Sequence, residues 1–408
     1  MYYGWIIVAG AFLAQFFMTG FFTYGFPFMV VPVEAEFGVS RTEVMYGITW
    51  STGAGLLLAP LIGMLADKWS IRWLMAIGAA IFGTGLILLS YTQNILQFSL
   101  LFAVFICLAN NLLGPLTGST VVARWFSVSR GKALGIAAVG TSVGGMIIPK
   151  LMGMGITDLG WRETVFYFGI TVLVLLLPFL LILMRNSPAE KGLGVEGADL
   201  NQSDEEIAAA NTIAGPELSV KQILTTPSFW FIGLTLGLLF MSQTGVLTNL
   251  TAYATGLGLE TGQAAQLIFV IAGMGFVGKL LFGYAADRIN LKLGLWTAII
   301  LAGTGISILA SEPDYSMMLL AAFLMGLATG GMLPVWGAII AVVFGMKSYG
   351  RVMGTMMPVI ALSVMPGPIL AAYLFDQSGS YSNSFYLFVG VLCLSFVLLI
   401  PVKLSPQK

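Results

Sequence analysis

The chain has 408 residues, 58% hydrophobic and 9% charged, with 18 basic and 18 acidic side chains and a mean hydropathy of +0.94. Soluble domains carry about 25% charged residues, so this composition excludes an ordinary soluble fold and points to helices that cross a membrane. Zero net charge gives no reason to expect a nucleic-acid partner. The lack of histidine removes the commonest metal ligand and proton relay, and Cys107 and Cys393 read as packing residues, so no metal or cofactor is expected.

Twelve apolar spans are expected, each near the ~20 residues a membrane helix needs. The first, 4–31, is too long for a cleaved signal, has no basic leader and carries Gln15, Thr19, Thr23 and Tyr24. The second, 43–66, runs into GMLADKWSIR, which begins at Gly63 and holds Asp67, Lys68 and Arg72. Spans 73–91 and 95–122 follow, the latter with Asn110, Asn111 and Thr117. Arg124 opens RWFSVSRGKALGIAAVGTSVGG, which leads into the fifth span, 133–156, with Lys150 inside it. The sixth span is 163–184. Residues 185–227 hold DLNQSDEEIAAANTIAGPE, which has no packable face and reads as a cytoplasmic linker.

The second half begins with span 228–253, which carries Gln243, Thr248, Asn249 and Tyr253. The eighth span, 262–286, has Lys279 at its interior and ends in GYAADRINLK, with Asp287 and Arg288. Spans 293–311, 316–344 (with Trp336), 350–374 and 382–402 complete the chain. The domains expected are thus 1–184 and 228–408, six helices each. GMLADK and GYAADR repeat the pattern G-x-x-A-D-[KR] about 220 residues apart, and internal repeats of this kind are common in secondary transporters. If the linker is cytoplasmic, 14 of the 18 lysines and arginines lie on its side. Only Arg41 and Arg162 face the other side, so both termini are expected in the cytoplasm of a cell-membrane protein.

Lys279 lies 8 residues before Asp287, about 12 Å of helix, which places it near the midplane. Ala272, Gly275, Gly283 and Ala286 share or border its face, whereas Val277, Leu281 and Tyr284 fall opposite. Small faces meet protein or a cavity, so Lys279 reads as an inward charge and an anion-site candidate, with snorkelling as the alternative. Lys150 lies 8 residues before Asp158 but shares its face with Val139, Val143 and Ile147, which leaves packing or snorkelling open beside a substrate role.

The loop motifs and the six-plus-six layout resemble the major facilitator superfamily. Within it, YYGWIIVAGAF at Tyr2, the glycine-rich stretch after Arg124 and SPAEKGLG at Ser187 are similar to segments of the monocarboxylate transporters and oxalate:formate antiporters. The resemblance implies an all-α membrane fold of twelve helices in two pseudo-symmetric halves, with helices 1, 4, 7 and 10 lining a cavity. It implies no enzyme, but alternating-access transport of a small organic anion such as lactate or pyruvate, by symport or antiport, with or without a coupled proton. Lys279 stands where those relatives carry a basic residue in helix 8. Tyr24, Asn110, Asn111, Asn249, Tyr253, Trp336 and Lys150 are the further substrate-contact candidates, although bonds between helices would explain an Asn or Gln equally well. Gly63, Asp67, Lys68, Arg72, Asp287, Arg288 and Arg124 are the gate candidates, with simple topology signalling or lipid contact as the alternative. The chain departs from the proton-coupled relatives at Gly275 and Phe28, where they carry aspartate and lysine. Met356 stands near the second lysine of oxalate exchangers, which favours a monoanion. A proton-independent exchanger, a dicarboxylate carrier and, more distantly, a non-transporting receptor remain open. The other partners expected are membrane lipids, and the chain is expected to be a monomer.

Overall fold

In a computed structural model the described residues are 2–126, 129–194, 218–286, 290–345 and 348–402. Excepted are the side chains at 57, 59, 60, 63, 64, 66–68, 116, 130, 286, 333 and 334. Nearly all of them are helical. Ten helices among them are long and apolar enough to span a bilayer. They are α1 (Gly4–Phe37), α3 (Ile71–Ser90), α4 (Ile95–Trp125), α5 (Arg130–Leu159), α6 (Trp161–Leu183), α7 (Pro227–Gly256), α8 (Thr261–Ala286), α9 (Leu291–Ala310), α10 (Tyr315–Phe344) and α11 (Tyr349–Ser378). The two other expected spans are a 28-residue helix, α2 (Arg41–Lys68), and a 17-residue apolar helix, α12 (Ser382–Leu398). Seventeen residues is the lower end of what crosses a hydrocarbon core of about 30 Å. The polar stretch read as a linker lies largely outside the described residues.

The chain sorts into two compact units. One comprises Met1–Asn201 with Leu250–Phe269, the other Gln202–Asn249 with Val270–Lys408. In the first unit, Phe21, Phe82 and Phe168 form a ring cluster joining α1, α3 and α6, with centroids 5.5 to 6.3 Å apart. Backbones come closest where small residues permit it: a side chain on Gly140 or Gly144 of α5 would collide with the carbonyls of Phe12 and Phe16 on α1. In the second unit, α7 is tied to α12 by reciprocal bonds. Ser395 Oγ donates to the Thr235 carbonyl at 2.9 Å, and Thr235 Oγ1 donates to the Ser395 carbonyl at 3.4 Å.

Three departures from uniform α-helix were not visible as hydropathy. Residues Gly20–Gly25, Phe102–Ile106 and Val172–Leu176 are π-helical turns within α1, α4 and α6. Each inserts one residue and rotates the remainder of its helix, a feature frequent at functional sites. α4 also breaks at Gly114, which is extended (ψ −175°) because a residue before proline is pushed out of the helical region. Pro115 then opens the second half of the helix, where its missing N–H is harmless.

Candidate substrate and gating residues

Lys279 is partly buried on the packed side of α8. The reason lies in the glycines on both partners. Gly278 approaches the Leu327 carbonyl of α10 so closely that a Cβ there would sit 2.6 Å from it, and a Cβ on Gly326 would sit 2.6 Å from the Ile271 carbonyl. A Cβ on Gly330 would meet the Gly275 carbonyl and lie 2.6 Å from the Lys279 amide nitrogen. So α8 presses its Ile271–Met274–Gly275–Gly278 side against α10, with the Lys279 backbone at its edge, while Leu280, Leu281 and Tyr284 are 56 to 66% exposed. Of the small residues expected on the Lys279 face, Gly275 lies against α10, whereas a Cβ on Gly283 would meet nothing within 4 Å.

The other candidates divide by what their polar atoms do. Asn249 is fully buried. Its Nδ2 donates to the Gly245 carbonyl at 3.0 Å and the Pro368 carbonyl at 3.2 Å, and its Oδ1 accepts from the Tyr381 hydroxyl at 3.1 Å. It joins α7, α11 and the start of α12. Asn111 is half-buried beside the α4 break, and its Nδ2 donates to the Cys107 carbonyl at 2.9 Å. Asn110 is half-buried next to it, and Thr117 Oγ1 donates to the Asn111 carbonyl, which the break has freed, at 3.1 Å. Tyr24 is buried within the π-helical turn of α1. Tyr253 is buried in the first unit, and Trp336 is buried in the second with no hydrogen-bond partner for its Nε1. Gln15, also buried, ends with its Nε2 3.3 Å from where a Gly118 Cβ would be.

Lys150 stands differently from Lys279 at a similar helical depth. It is exposed, as are Ile147 and Met154, three residues before and four after it. It lines a groove of about 500 Å³ whose other polar residues include Asp158 and Gln266. No reading of single spans pairs residue 158 with residue 266, since only packing brings them together. Of the gate candidates, Asp287 and Arg288, and the side chains around Gly63, Asp67 and Lys68, lie outside the described residues. Arg124 is half-buried in the last turn of α4. Arg72 is described: it donates through Nη2 to the Leu181 carbonyl, and its backbone N–H donates to Asn186 Oδ1 at 3.1 Å. It thereby fastens the start of α3 to the end of α6.

The family model described as Major Facilitator Superfamily matches residues 11–302 and 276–408. The chain belongs to the major facilitator superfamily. It is therefore a multi-pass membrane transporter and not an enzyme. Monocarboxylate transporter 12 of Rattus norvegicus is 24% identical over 424 residues, covering 99% of this chain and 86% of that protein. Monocarboxylate transporter 11 of Homo sapiens is 23% identical over 404 residues, covering 94% and 80%. An MFS-type transporter of Gibberella moniliformis is 27% identical over 333 residues, covering 80% and 74%. The crystal structure of a bacterial homolog to the human lysosomal transporter Spinster aligns with a TM-score of 0.74 at 14% identity, covering 97% of this chain and 96% of that one. That likeness bears on the fold alone. The superfamily and the fold expected from the loop motifs are thus established.

Proposed function

We propose that this major facilitator transporter carries a small organic anion, a monocarboxylate of the lactate or pyruvate kind, by alternating access in the cell membrane. Lys279 receives the carboxylate. The supporting observation is its place in α8, on the side packed against α10 rather than on the side bearing Leu280, Leu281 and Tyr284. A cation held inside a membrane protein is costly and is retained for a task. The names of the relatives agree with the substrate class. Asp67, Lys68, Arg72, Asp287 and Arg288 are proposed to latch the cytoplasmic gate, with both termini on that side.

One observation favours exchange over proton symport. Gly275, one turn before Lys279, supplies no carboxylate at the position where the proton-coupled relatives of the resemblance carry aspartate. The test is uptake of labelled lactate and pyruvate into proteoliposomes by the native protein, Lys279→Gln and Lys279→Arg. Gln should lower uptake about 100-fold, as expected for losing ~3 kcal/mol from a desolvated charge pair. Arg should keep part of it, because the charge stays while the geometry changes. Undiminished uptake in Lys279→Gln would remove the lysine from the site.

A further inference from the structure

We infer that the groove beside Lys150 is a binding site for a phospholipid bearing a primary ammonium, of the phosphatidylethanolamine type. α5 has 30 residues, about 45 Å, close to the full bilayer including its headgroup layers. With the helix centred on the midplane, Lys150 lies about 8 Å from it, towards the C-terminal end. Its stem adds roughly 6 Å, which brings the ammonium to the hydrocarbon edge at about 15 Å, where lipid phosphates begin. Asp158, two turns further on, lies at about 20 Å, in the headgroup layer.

The two Cα atoms are about 12 Å apart along the helix, and the side chains make no ion pair with each other. Among the described residues, Lys150, Asp158 and the Gln266 amide form no hydrogen bond or ion pair within the protein, although all three line one groove. Gly153 forms part of the groove, and a Cβ there would touch Phe28 of α1 at 3.2 Å, while the exposed Met154 and Phe269 give it an apolar rim. That rim is what lipid chains wet. The order of charges, cation at the hydrocarbon edge and carboxylate beyond it, is the complement of a headgroup with an inner phosphate and an outer ammonium. A purely anionic headgroup satisfies Lys150 but sets negative charge below Asp158. A choline headgroup brings positive charge without an N–H to donate. The site fixes one lipid against α5 and the N-terminal part of α8.

The test is native mass spectrometry of the full-length protein taken from vesicles of equimolar phosphatidylethanolamine, phosphatidylcholine and phosphatidylglycerol. The native protein should retain the ethanolamine lipid about fivefold over each of the others (~1 kcal/mol at 1.4 kcal/mol per decade). Asp158→Asn should abolish that preference while lipid is still retained. Lys150→Gln should lower retention of all three, and Lys150→Arg should restore it. Both side chains are exposed, so folding should survive the changes, and the comparison among lipids on the native protein needs no variant. Equal retention of the three lipids, a preference for phosphatidylglycerol, or an ethanolamine preference that persists in Asp158→Asn would each overturn the assignment.

Discussion

Removing the Asn249 carboxamide should loosen three elements at once. It carries bonds to the Pro368 carbonyl and from the Tyr381 hydroxyl, both at full burial. Bonds between helices in a membrane average about 0.6 kcal/mol and reach about 1.7, so Asn249→Ala should destabilise the detergent-solubilised protein by ~1 to 2 kcal/mol. Tyr381→Phe should cost less. A double-mutant cycle in denaturant should show a coupling of ~0.5 kcal/mol or more, and strict additivity would mean the pair does not bond. Arg162 offers a second case. Its guanidinium donates to Glu36 Oε1 and to the carbonyls of Ser90 and Thr92, each at 2.6 Å, and lies 4.5 Å over the Trp161 ring. A lysine cannot reproduce that fork, so Arg162→Lys should lower the melting temperature nearly as much as Arg162→Ala does. Sequence reading placed Asn249 in the seventh span and left a bond between helices open beside substrate contact, but could not name its partners. Nothing near Asn249 says that its partners lie 119 and 132 positions away. Arg162 counted only as one charge on the sparse side.

At the scale of the element, the small-residue face of α8 is the feature that sequence spacing made readable. Small residues recur on one side at helical intervals, and of these Gly275 packs against α10 while Gly283 has open space beside it. What spacing did not reveal is the partner, because the matching glycines Gly326 and Gly330 belong to a span some fifty residues on. Gly330→Leu should therefore be severe. A leucine there meets the Gly275 carbonyl and the Lys279 amide, and even ordinary overpacking costs about 1 to 3 kcal/mol. Uptake should fall to background while Gly354→Ala, at a glycine with open space around it, leaves uptake unchanged. If Gly330→Leu transports normally, the close approach of α8 and α10 is not needed. The break in α4 and the π-helical turns were illegible for a different reason. Hydropathy reports whether a segment is apolar, and a one-residue insertion leaves it just as apolar. Gly114–Pro115 did carry a signal, since glycine followed by proline in a helix is a stop and a restart.

For the whole molecule, composition alone indicated the class, and two loop motifs about 220 residues apart indicated the superfamily, because both depend on local chemistry repeated along the chain. The candidate site is less legible, because a cation in an apolar helix looks the same whether it faces protein or lipid. Lys150 and Lys279 have equal spacing to a following aspartate yet lie on an exposed and a packed face. The difference has a consequence for transport. Under the proposed role, Lys279 with a bound monocarboxylate is electrically neutral, and the unloaded carrier keeps the positive charge inside the membrane. A charged side chain at the centre of a bilayer costs about 2.5 kcal/mol or more on insertion scales. The return step thus needs a second anion or the release of the proton. Labelled uptake into vesicles holding unlabelled lactate should then exceed net uptake by more than about tenfold when no proton gradient is present, tenfold corresponding to ~1.4 kcal/mol. Lys279→Gln should erase that ratio along with most of the flux. An inward proton gradient that raises net uptake to the exchange rate identifies the lysine proton as the coupled ion, whereas no response identifies an obligate exchanger. Equal net uptake and exchange without any gradient would show that the charge of Lys279 does not travel with the substrate step.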